Sequence, residues 1–134
     1  MTYFNKFSLV LPIGICLFSF IAGCNSNEGP AKVTGVIRLD GQPLPEATVS
    51  FTPDDPGAFS SGGGTDQNGQ YELFYAEGKT GALPGNYKVT VSTGRPWDNV
   101  PEKVPEKYRE LKTTDLVYTI KPGKQTIDIE LKSM

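Results

Sequence analysis

The feature that most constrains this chain is an alternation of apolar and polar residues in short segments, separated by turns rich in glycine and proline. Residues 47–52 are the clearest case, because Ala47, Val49 and Phe51 alternate with threonine and serine. Successive side chains of a strand point to opposite faces, so each such segment has one apolar and one polar face. The alternation therefore predicts half-buried strands and an all-β fold.

The pattern predicts six main strands and a possible short one near Gly64 and Thr65. Turns are predicted at Asp40-Gly41, Asn68-Gly69, Leu83-Pro84-Gly85-Asn86 and Lys121-Pro122-Gly123-Lys124. The last turn is predicted to join the final two strands in a hairpin. Six or seven antiparallel strands usually cover their apolar faces by packing as two sheets, which predicts a β-sandwich. The predicted inward residues are Val33, Ile37, Val49, Phe51, Tyr71, Leu73, Val89, Val91, Tyr118, Ile127, Ile129 and Leu131.

Residues 1–23 have the composition of a secretory signal. Lys6 is the only charged side chain before an apolar run over residues 7–21, and small residues follow that run. Pro12 and Gly14 interrupt the run, whereas a transmembrane helix needs about 20 apolar residues with few breaks. A cleaved signal peptide is therefore predicted, and a retained anchor helix is the alternative.

The tetrapeptide Ile21-Ala22-Gly23-Cys24 resembles a bacterial lipobox, in which a peptidase cuts before the cysteine and the cysteine sulfur carries a lipid. The resemblance implies cleavage between Gly23 and Cys24, and acyl chains such as palmitate that hold Cys24 in a membrane. A chance cysteine, or one that forms an intermolecular disulfide, is the alternative. Residues 24–30 are then the lipidated cysteine and a flexible tether.

The predicted location is the cell envelope. Asn25 follows the cysteine, whereas an aspartate at that position favours inner-membrane retention in the enterobacterial sorting scheme. The outer membrane is therefore favoured over the inner membrane. The other cysteine, Cys16, lies in the segment predicted to be removed, so no intramolecular disulfide is expected although the compartment permits one.

The composition argues against several classes of activity. The chain contains no histidine, the commonest general base and a leading zinc ligand. Its net charge of −2 predicts no basic patch for nucleic acid. The carboxylate pairs Asp54 with Asp55 and Glu102 with Glu106 lie in polar loops and are interpreted as solvated charges. We expect a protein that is not an enzyme and has no catalytic residue, cofactor or metal, with a small hydrolase as a remote alternative.

One short motif has two interpretations. Asp66, Asn68 and Gly69 resemble the start of a calcium loop, but the closing glutamate of such a loop is not at the required spacing. The pair Asn68-Gly69 between two extended segments is also a strong hairpin signal. A tight turn is therefore favoured over a metal site.

Three aromatic residues outside the strand faces are candidate ligand contacts. Phe59 lies in the 53–64 loop, and Trp97 and Tyr108 lie in the 94–114 loop. Such loops can recognise a carbohydrate, a peptide or an envelope partner. The alternative is that Trp97, Tyr108 and Leu111 fold the long loop back over an open end of the core. Pro105 predicts a helical turn that reaches Tyr108.

Several motifs in fixed order resemble a known domain. They are Val33-Thr34-Gly35-Val36-Ile37-Arg38-Leu39-Asp40-Gly41-Gln42-Pro43-Leu44, Ala47-Thr48-Val49-Ser50-Phe51, Thr65-Asp66-Gln67-Asn68-Gly69-Gln70-Tyr71 and Pro84-Gly85-Asn86-Tyr87-Lys88-Val89. They resemble the carboxypeptidase regulatory-like, transthyretin-like domain. Val104-Pro105-Glu106-Lys107-Tyr108 and Lys121-Pro122-Gly123-Lys124 are similar to motifs of short planctomycete-type lipoproteins that carry this domain alone.

The resemblance implies a seven-stranded Greek-key sandwich over residues 31–133, without catalytic apparatus. The zinc ligands of the carboxypeptidase catalytic domain have no counterparts in this chain, and the fold alone confers no hormone site. The predicted protein is thus a non-enzymatic, monomeric lipoprotein domain. It would bind the membrane through acyl chains on Cys24 and act as a binding or structural module for an envelope protein or polysaccharide.

Overall fold

The computed structural model describes residues 29–133, so the predicted signal peptide, the predicted cleavage site at Gly23 and the predicted lipidation site at Cys24 lie outside the described residues. Within this range no helix is long and apolar enough to cross a membrane. The strands are β1 (Lys32–Leu39), β2 (Gln42–Pro43), β3 (Thr48–Pro53), β4 (Ser61–Gly64), β5 (Gln70–Glu72), β6 (Phe74–Tyr75), β7 (Lys79–Thr80), β8 (Gly85–Ser92), β9 (Val117–Ile120), β10 (Lys124–Thr126) and β11 (Ile129–Leu131). Two short 3₁₀ helices span Pro96–Asp98 and Glu106–Tyr108, the second where a helical turn is predicted.

The first sheet is built around β1. On one side β1 pairs with β2 and β5 in antiparallel orientation, and on the other side it pairs with β10 and β11 in parallel orientation. The prediction of purely antiparallel strands is therefore wrong for this sheet. The reason is that alternation specifies which face of a strand is buried but not the direction of its neighbour.

The second sheet has the order β7-β6-β4-β3-β8-β9 and is antiparallel throughout. Because β8 returns to lie beside β3, the strands β3, β4, β6 and β8 form a Greek key. The segments β5 and β6 are two parts of one strand, which leaves the first sheet at Leu73 and joins the second. With β10 and β11 likewise taken as one strand, the sandwich has seven main strands, as predicted, and two additional two-residue strands.

The core lies between the two sheets, and Phe51 is at its centre. Its ring centroid is 6.4 Å from that of Tyr71, 6.1 Å from that of Tyr87 and 6.2 Å from that of Tyr118. The predicted inward residues are all buried except Tyr118, which is half-buried and packs against the same cluster. The burial of alternate side chains is therefore confirmed.

Two of the predicted turns are tight, but only the first closes a hairpin, because Asn68-Gly69 leads from β4 in the second sheet to β5 in the first. Asp40 and Gly41 have φ values of 51° and 80°, as a two-residue type I′ turn between β1 and β2 requires. At the other turn, the Asp66 carboxylate accepts a hydrogen bond from the Asn68 backbone N–H at 2.9 Å, and Gly69 has a φ of 74°. The turn interpretation of this motif is confirmed, because the aspartate caps the turn.

The predicted hairpin at the end of the chain is wrong. β9 pairs with β8 in the second sheet, whereas β10 and β11 pair with β1 in the first. The turn at residues 121–124 therefore crosses from one sheet to the other. The side chain of Gln125 supports the crossing, since its Oε1 accepts a hydrogen bond from the Lys121 N–H at 2.8 Å.

The predicted turn at residues 83–86 is an open bend. Gly85 has a φ of 151°, far from the value of about 80° that the third position of a type II turn requires. Instead, the Tyr87 hydroxyl donates a hydrogen bond to the Leu83 carbonyl at 2.7 Å. This bond fixes the corner where the chain enters β8.

Candidate functional site

The two ends of the sandwich carry different loops. The described chain enters at Ala31, which forms an antiparallel bridge with Ala82, close to the first residue of β8. We call this the entry end. The opposite end, where Ser92 of β8 lies beside Thr48 of β3, we call the far end.

The structure separates the three predicted ligand contacts. Phe59 is 61% exposed and lies in the loop that follows β3 at the entry end. Trp97 is 79% exposed and lies in the loop that follows β8 at the far end. Tyr108 is only 7% exposed and packs in the core. The two predicted loops therefore do not form one shared recognition surface.

Tyr108 anchors the second half of the long loop. Its hydroxyl accepts a hydrogen bond from the Lys132 N–H at 3.4 Å, and Val104 is buried in the same core cluster. Lys107 pairs with Asp115 at 2.6 Å and lies 5.3 Å from the centre of the Tyr108 ring. The alternative interpretation, in which the aromatic residues fold the long loop over the core, is thus correct for Tyr108. It is wrong for Trp97 and Leu111, whose side chains are exposed.

The first half of the loop is held by the Glu102 carboxylate. Its Oε1 accepts hydrogen bonds from the Thr93 N–H at 2.9 Å, the Thr93 hydroxyl at 2.9 Å and the Val104 N–H at 2.8 Å. Its Oε2 accepts a fourth from the Gly94 N–H at 3.0 Å. We call residues 93–104 the clasped loop. Glu102 is an exposed loop charge, as interpreted, but its carboxylate also closes this loop, which the sequence did not indicate.

The hydrogen bonds also change the acidity of Glu102. Partial burial tends to raise its pKa, but hydrogen bonds from the backbone N–H groups of Thr93, Val104 and Gly94 and from the Thr93 hydroxyl lower it. The net result is that the pKa of Glu102 lies below its usual value. The carboxylate is therefore charged at neutral pH, the state in which it accepts all four bonds.

Trp97 occupies the tip of the clasped loop, on the 3₁₀ helix Pro96–Asp98. The Asp98 N–H donates to the Arg95 carbonyl at 3.0 Å, and Arg95 and Val100 exchange backbone hydrogen bonds at 3.1 and 3.2 Å. The Arg95 guanidinium lies 3.8 Å from carboxylate oxygens of both Glu46 and Asp98. Trp97 is therefore an exposed aromatic residue on a loop whose backbone is hydrogen-bonded on both sides of it.

Replacing Glu102 with glutamine is expected to loosen the clasped loop. The amide keeps one acceptor oxygen but presents an NH₂ group where the other oxygen accepted a bond. We expect a loss of about 1–2 kcal/mol in the free energy of unfolding, measured by urea denaturation at pH 7. Trp97 is the only tryptophan, so a lower fluorescence anisotropy would report its increased motion. Glu106→Gln, on the second 3₁₀ helix just beyond the clasped loop, is the matched control, and equal stability of the two variants would contradict the clasp.

The Glu102 carboxylate should also make the stability of the protein depend on pH in a defined direction. Because the pKa of Glu102 is lower in the folded than in the unfolded protein, its contribution is complete above the unfolded value of about 4.5. The contribution is lost as the pH falls through the folded pKa. The difference in stability between wild type and Glu102→Gln should therefore shrink as the pH falls below about 4.5.

A second concave surface lies on the outer face of the first sheet. It is a groove of about 530 Å³, which we call the outer groove. Polar side chains from β1, β5 and β10 line it, together with one turn residue, one residue between β10 and β11, and one exposed aromatic ring. The residues used below are Thr34, Asp66, Gln70, Glu72, Phe74, Thr126 and Asp128.

The strand pattern explains why the outer groove has this lining. Thr34 lies opposite Glu72 on one side and Thr126 on the other, so their side chains share the solvent face. Asp128 follows β10 and accepts a hydrogen bond from the Val36 N–H at 2.9 Å. Phe74 is 43% exposed, on the strand that leaves this sheet for the other. A phenylalanine at a polar-face position after Leu73 is the one signal in the sequence that could have indicated this surface, which was not predicted.

Comparison of the chain with protein-family models, with curated proteins and with solved structures finds no match. The resemblance to carboxypeptidase regulatory-like domains therefore stays a prediction, whereas the β-sandwich is shown by the strand pairing. Within residues 29–133, no group of three or more histidine, cysteine, aspartate or glutamate side chains is arranged to hold a metal ion. The outer groove and the clasped loop are the surfaces that remain as candidate sites.

Proposed function

We propose that the protein is a non-enzymatic lipoprotein of the cell envelope, in which acyl chains on Cys24 anchor a β-sandwich that acts as a binding module. The observation that supports this proposal is the position of Trp97 at the far end of the sandwich, opposite the end at which the chain enters. The two ends are separated by the eight residues of β8, or about 25 Å. The clasped loop would therefore face away from the anchoring membrane.

The length of the connecting segment sets how far the domain stands from the bilayer. Residues 25–30 span at most about 20 Å when fully extended. The entry end, with Phe59, is therefore the end nearer the membrane, and Trp97 is the predicted contact that is free to meet a partner. More than one acyl chain is expected, since a single chain gives only marginal and reversible binding.

A restrained, exposed tryptophan is suited to recognition. Aromatic anchors provide much of the binding energy of protein interfaces, and tryptophan is among the residues most enriched at such positions. Hydrogen bonds already order the clasped loop. Binding of a partner would therefore cost little conformational entropy of the loop. The proposed partner is a polysaccharide, a peptide or a protein of the envelope.

The anchor is tested by Cys24→Ser. We expect the wild-type protein to sediment with membranes and to enter the detergent phase, whereas Cys24→Ser should be recovered almost entirely in the aqueous phase. Cys16→Ser is the matched control, because Cys16 lies in the segment predicted to be removed, and it should behave as wild type. Partitioning of Cys24→Ser into detergent to the wild-type extent would refute the anchor.

The binding function is tested in the same cells by crosslinking. A species crosslinked to the wild-type protein should be lost in Trp97→Ala and retained in Phe59→Ala, which removes the exposed aromatic residue at the entry end. Both variants should remain in the membrane fraction and keep the wild-type melting temperature. Crosslinks that persist in Trp97→Ala would show that the clasped loop is not the recognition surface.

A further inference from the structure

We propose that the outer groove binds an oligosaccharide whose sugar units carry free amino groups. This inference rests on the proposed binding function, but it assigns that function a second surface and a ligand class. The surface is the solvent face of the first sheet, so its residues are distinct from those of the clasped loop.

The shape of the groove fits a ligand of moderate size. Its volume of about 530 Å³ lies within the range of about 300–1,000 Å³ that is usual for small-molecule sites. The last residue of β4, Gly64, lines the groove, so no side chain rises from β4 at that point. The groove is thus open along the sheet face and can hold a short section of a longer chain.

The backbone beneath the groove is not available for binding. At Thr34, β1 pairs with β5 on one side and with β10 on the other. A peptide that lies over β1 therefore cannot pair with it as an additional strand. Recognition must come from side chains, and hydroxyl, amide and carboxylate groups are supplied by Thr34, Thr126, Gln70 and Asp128. Such groups match a ligand with many hydroxyls better than a peptide.

Phe74 supplies the apolar part of the site. A sugar ring has one face formed by C–H groups, which packs well on the face of an aromatic ring. Phe74 is 43% exposed and lines the groove beside the polar groups. An aromatic ring next to hydroxyl and carboxylate groups provides both the stacking and the hydrogen bonds that a sugar needs.

The negative charge of the groove favours sugars that carry amino groups over sugars that carry acidic groups. Asp66, Glu72 and Asp128 line it, and its lining residues include neither lysine nor arginine. Within residues 29–133, Glu72 is the only one of these three carboxylates with a nearby cation, Lys32, at 3.8 Å. In the described part of the chain, the hydrogen bonds of Asp66 and Asp128 use only Oδ1. Their Oδ2 atoms can therefore accept from an ammonium group, which carries three donors, whereas phosphate or carboxylate groups on a sugar would be repelled.

The proposal is tested by calorimetric titration of the detergent-solubilised protein with a glucosamine oligomer. Asp128→Asn should weaken binding about tenfold, because it removes a charge but keeps an acceptor for the Val36 N–H. Glu130→Gln is the matched control, since it removes one negative charge from the same strand outside the groove. Its affinity should equal that of wild type.

Two further variants locate the site. Phe74→Ala should weaken binding of the glucosamine oligomer roughly five- to tenfold through the lost stacking. Trp97→Ala should leave it unchanged, because the clasped loop does not line the groove. The melting temperature of each variant, followed by circular dichroism, should match wild type, so that a change in affinity reports the site and not the fold.

Three results would overturn the proposal. They are no binding of the glucosamine oligomer to wild type, equal affinity in Asp128→Asn and Glu130→Gln, and equal affinity for the N-acetylated oligomer, whose units carry no charge. Loss of binding in Trp97→Ala alone would also reject the groove, while leaving the clasped loop as the binding surface. Conversely, groove binding without any Trp97-dependent crosslink would reject the clasped loop and leave the groove.

Discussion

Gly35→Ala is expected to destabilise the sandwich severely. Gly35 is buried in the middle of β1, where it lies opposite Tyr71 of β5. An alanine Cβ would overlap the Ile127 carbonyl oxygen and would lie 2.7 Å from the Ile127 carbonyl carbon and 2.9 Å from Cε1 of Tyr71. These contacts are shorter than van der Waals packing allows, and two of the three involve backbone atoms.

A small side-chain movement cannot relieve this overlap. The Tyr71 hydroxyl donates a hydrogen bond to the Ile127 carbonyl at 2.6 Å, across the space that the new methyl group would occupy. Relief would require the strand containing Ile127 to move away from β1, which would break that bond and the pairing of Ile37 with Ile129. Overpacking usually costs about 1–3 kcal/mol, and here backbone displacement adds to it, so a loss of roughly 4 kcal/mol or more is expected.

The measurement is urea denaturation followed by far-ultraviolet circular dichroism. Gly64→Ala is the matched control, because its Cβ would meet only the Ala47 carbonyl oxygen at 3.8 Å, an ordinary contact. Gly64→Ala should unfold at nearly the wild-type urea concentration, whereas Gly35→Ala should unfold at a much lower one. A Gly35→Ala midpoint close to that of Gly64→Ala would mean that β1 and Ile127 are farther apart than described.

Gly35 also shows how far the sequence alone predicts this fold. Alternation placed it correctly on the inward face of β1, with Val33 and Ile37. The pattern did not indicate why a glycine was needed there, because the reason is an approach by Ile127, more than ninety positions along the chain. Which strands are neighbours, and in which direction they run, depends on such long-range packing, as the wrongly predicted final hairpin also shows.

The candidate sites were also predicted to different extents, because some depend on long-range packing and others on local sequence. Trp97 was identifiable because an aromatic residue in a polar loop breaks the local pattern. Glu102 was not, since its four hydrogen bonds depend on the path that brings it back to Thr93. The outer groove was missed because Thr34, Gln70 and Asp128 come from three separate strands that meet only in the folded sheet.

Val89→Asp is expected to unfold the domain by a different mechanism, the burial of a charge. Val89 is fully buried on β8, opposite Phe51 of β3, and its carbonyl accepts a hydrogen bond from the Thr114 hydroxyl at 2.7 Å. Removing the buried valine side chain forfeits about 1.5–3 kcal/mol of apolar burial. An unpaired carboxylate in its place must either remain charged in an apolar core or become protonated, which adds several kcal/mol at neutral pH.

A matched control separates this mechanism from a simple change of net charge. Asn86→Asp introduces the same charge on the same strand at an exposed position, and it keeps the oxygen that accepts a hydrogen bond from the Thr119 hydroxyl at 2.7 Å. Its melting temperature should stay within a few degrees of wild type. Val89→Asp should show no cooperative transition, because the expected loss is comparable to the total stability of about 5–15 kcal/mol of a small domain. If both variants melted alike, the inner face of β8 would not be the face that the two sheets bury.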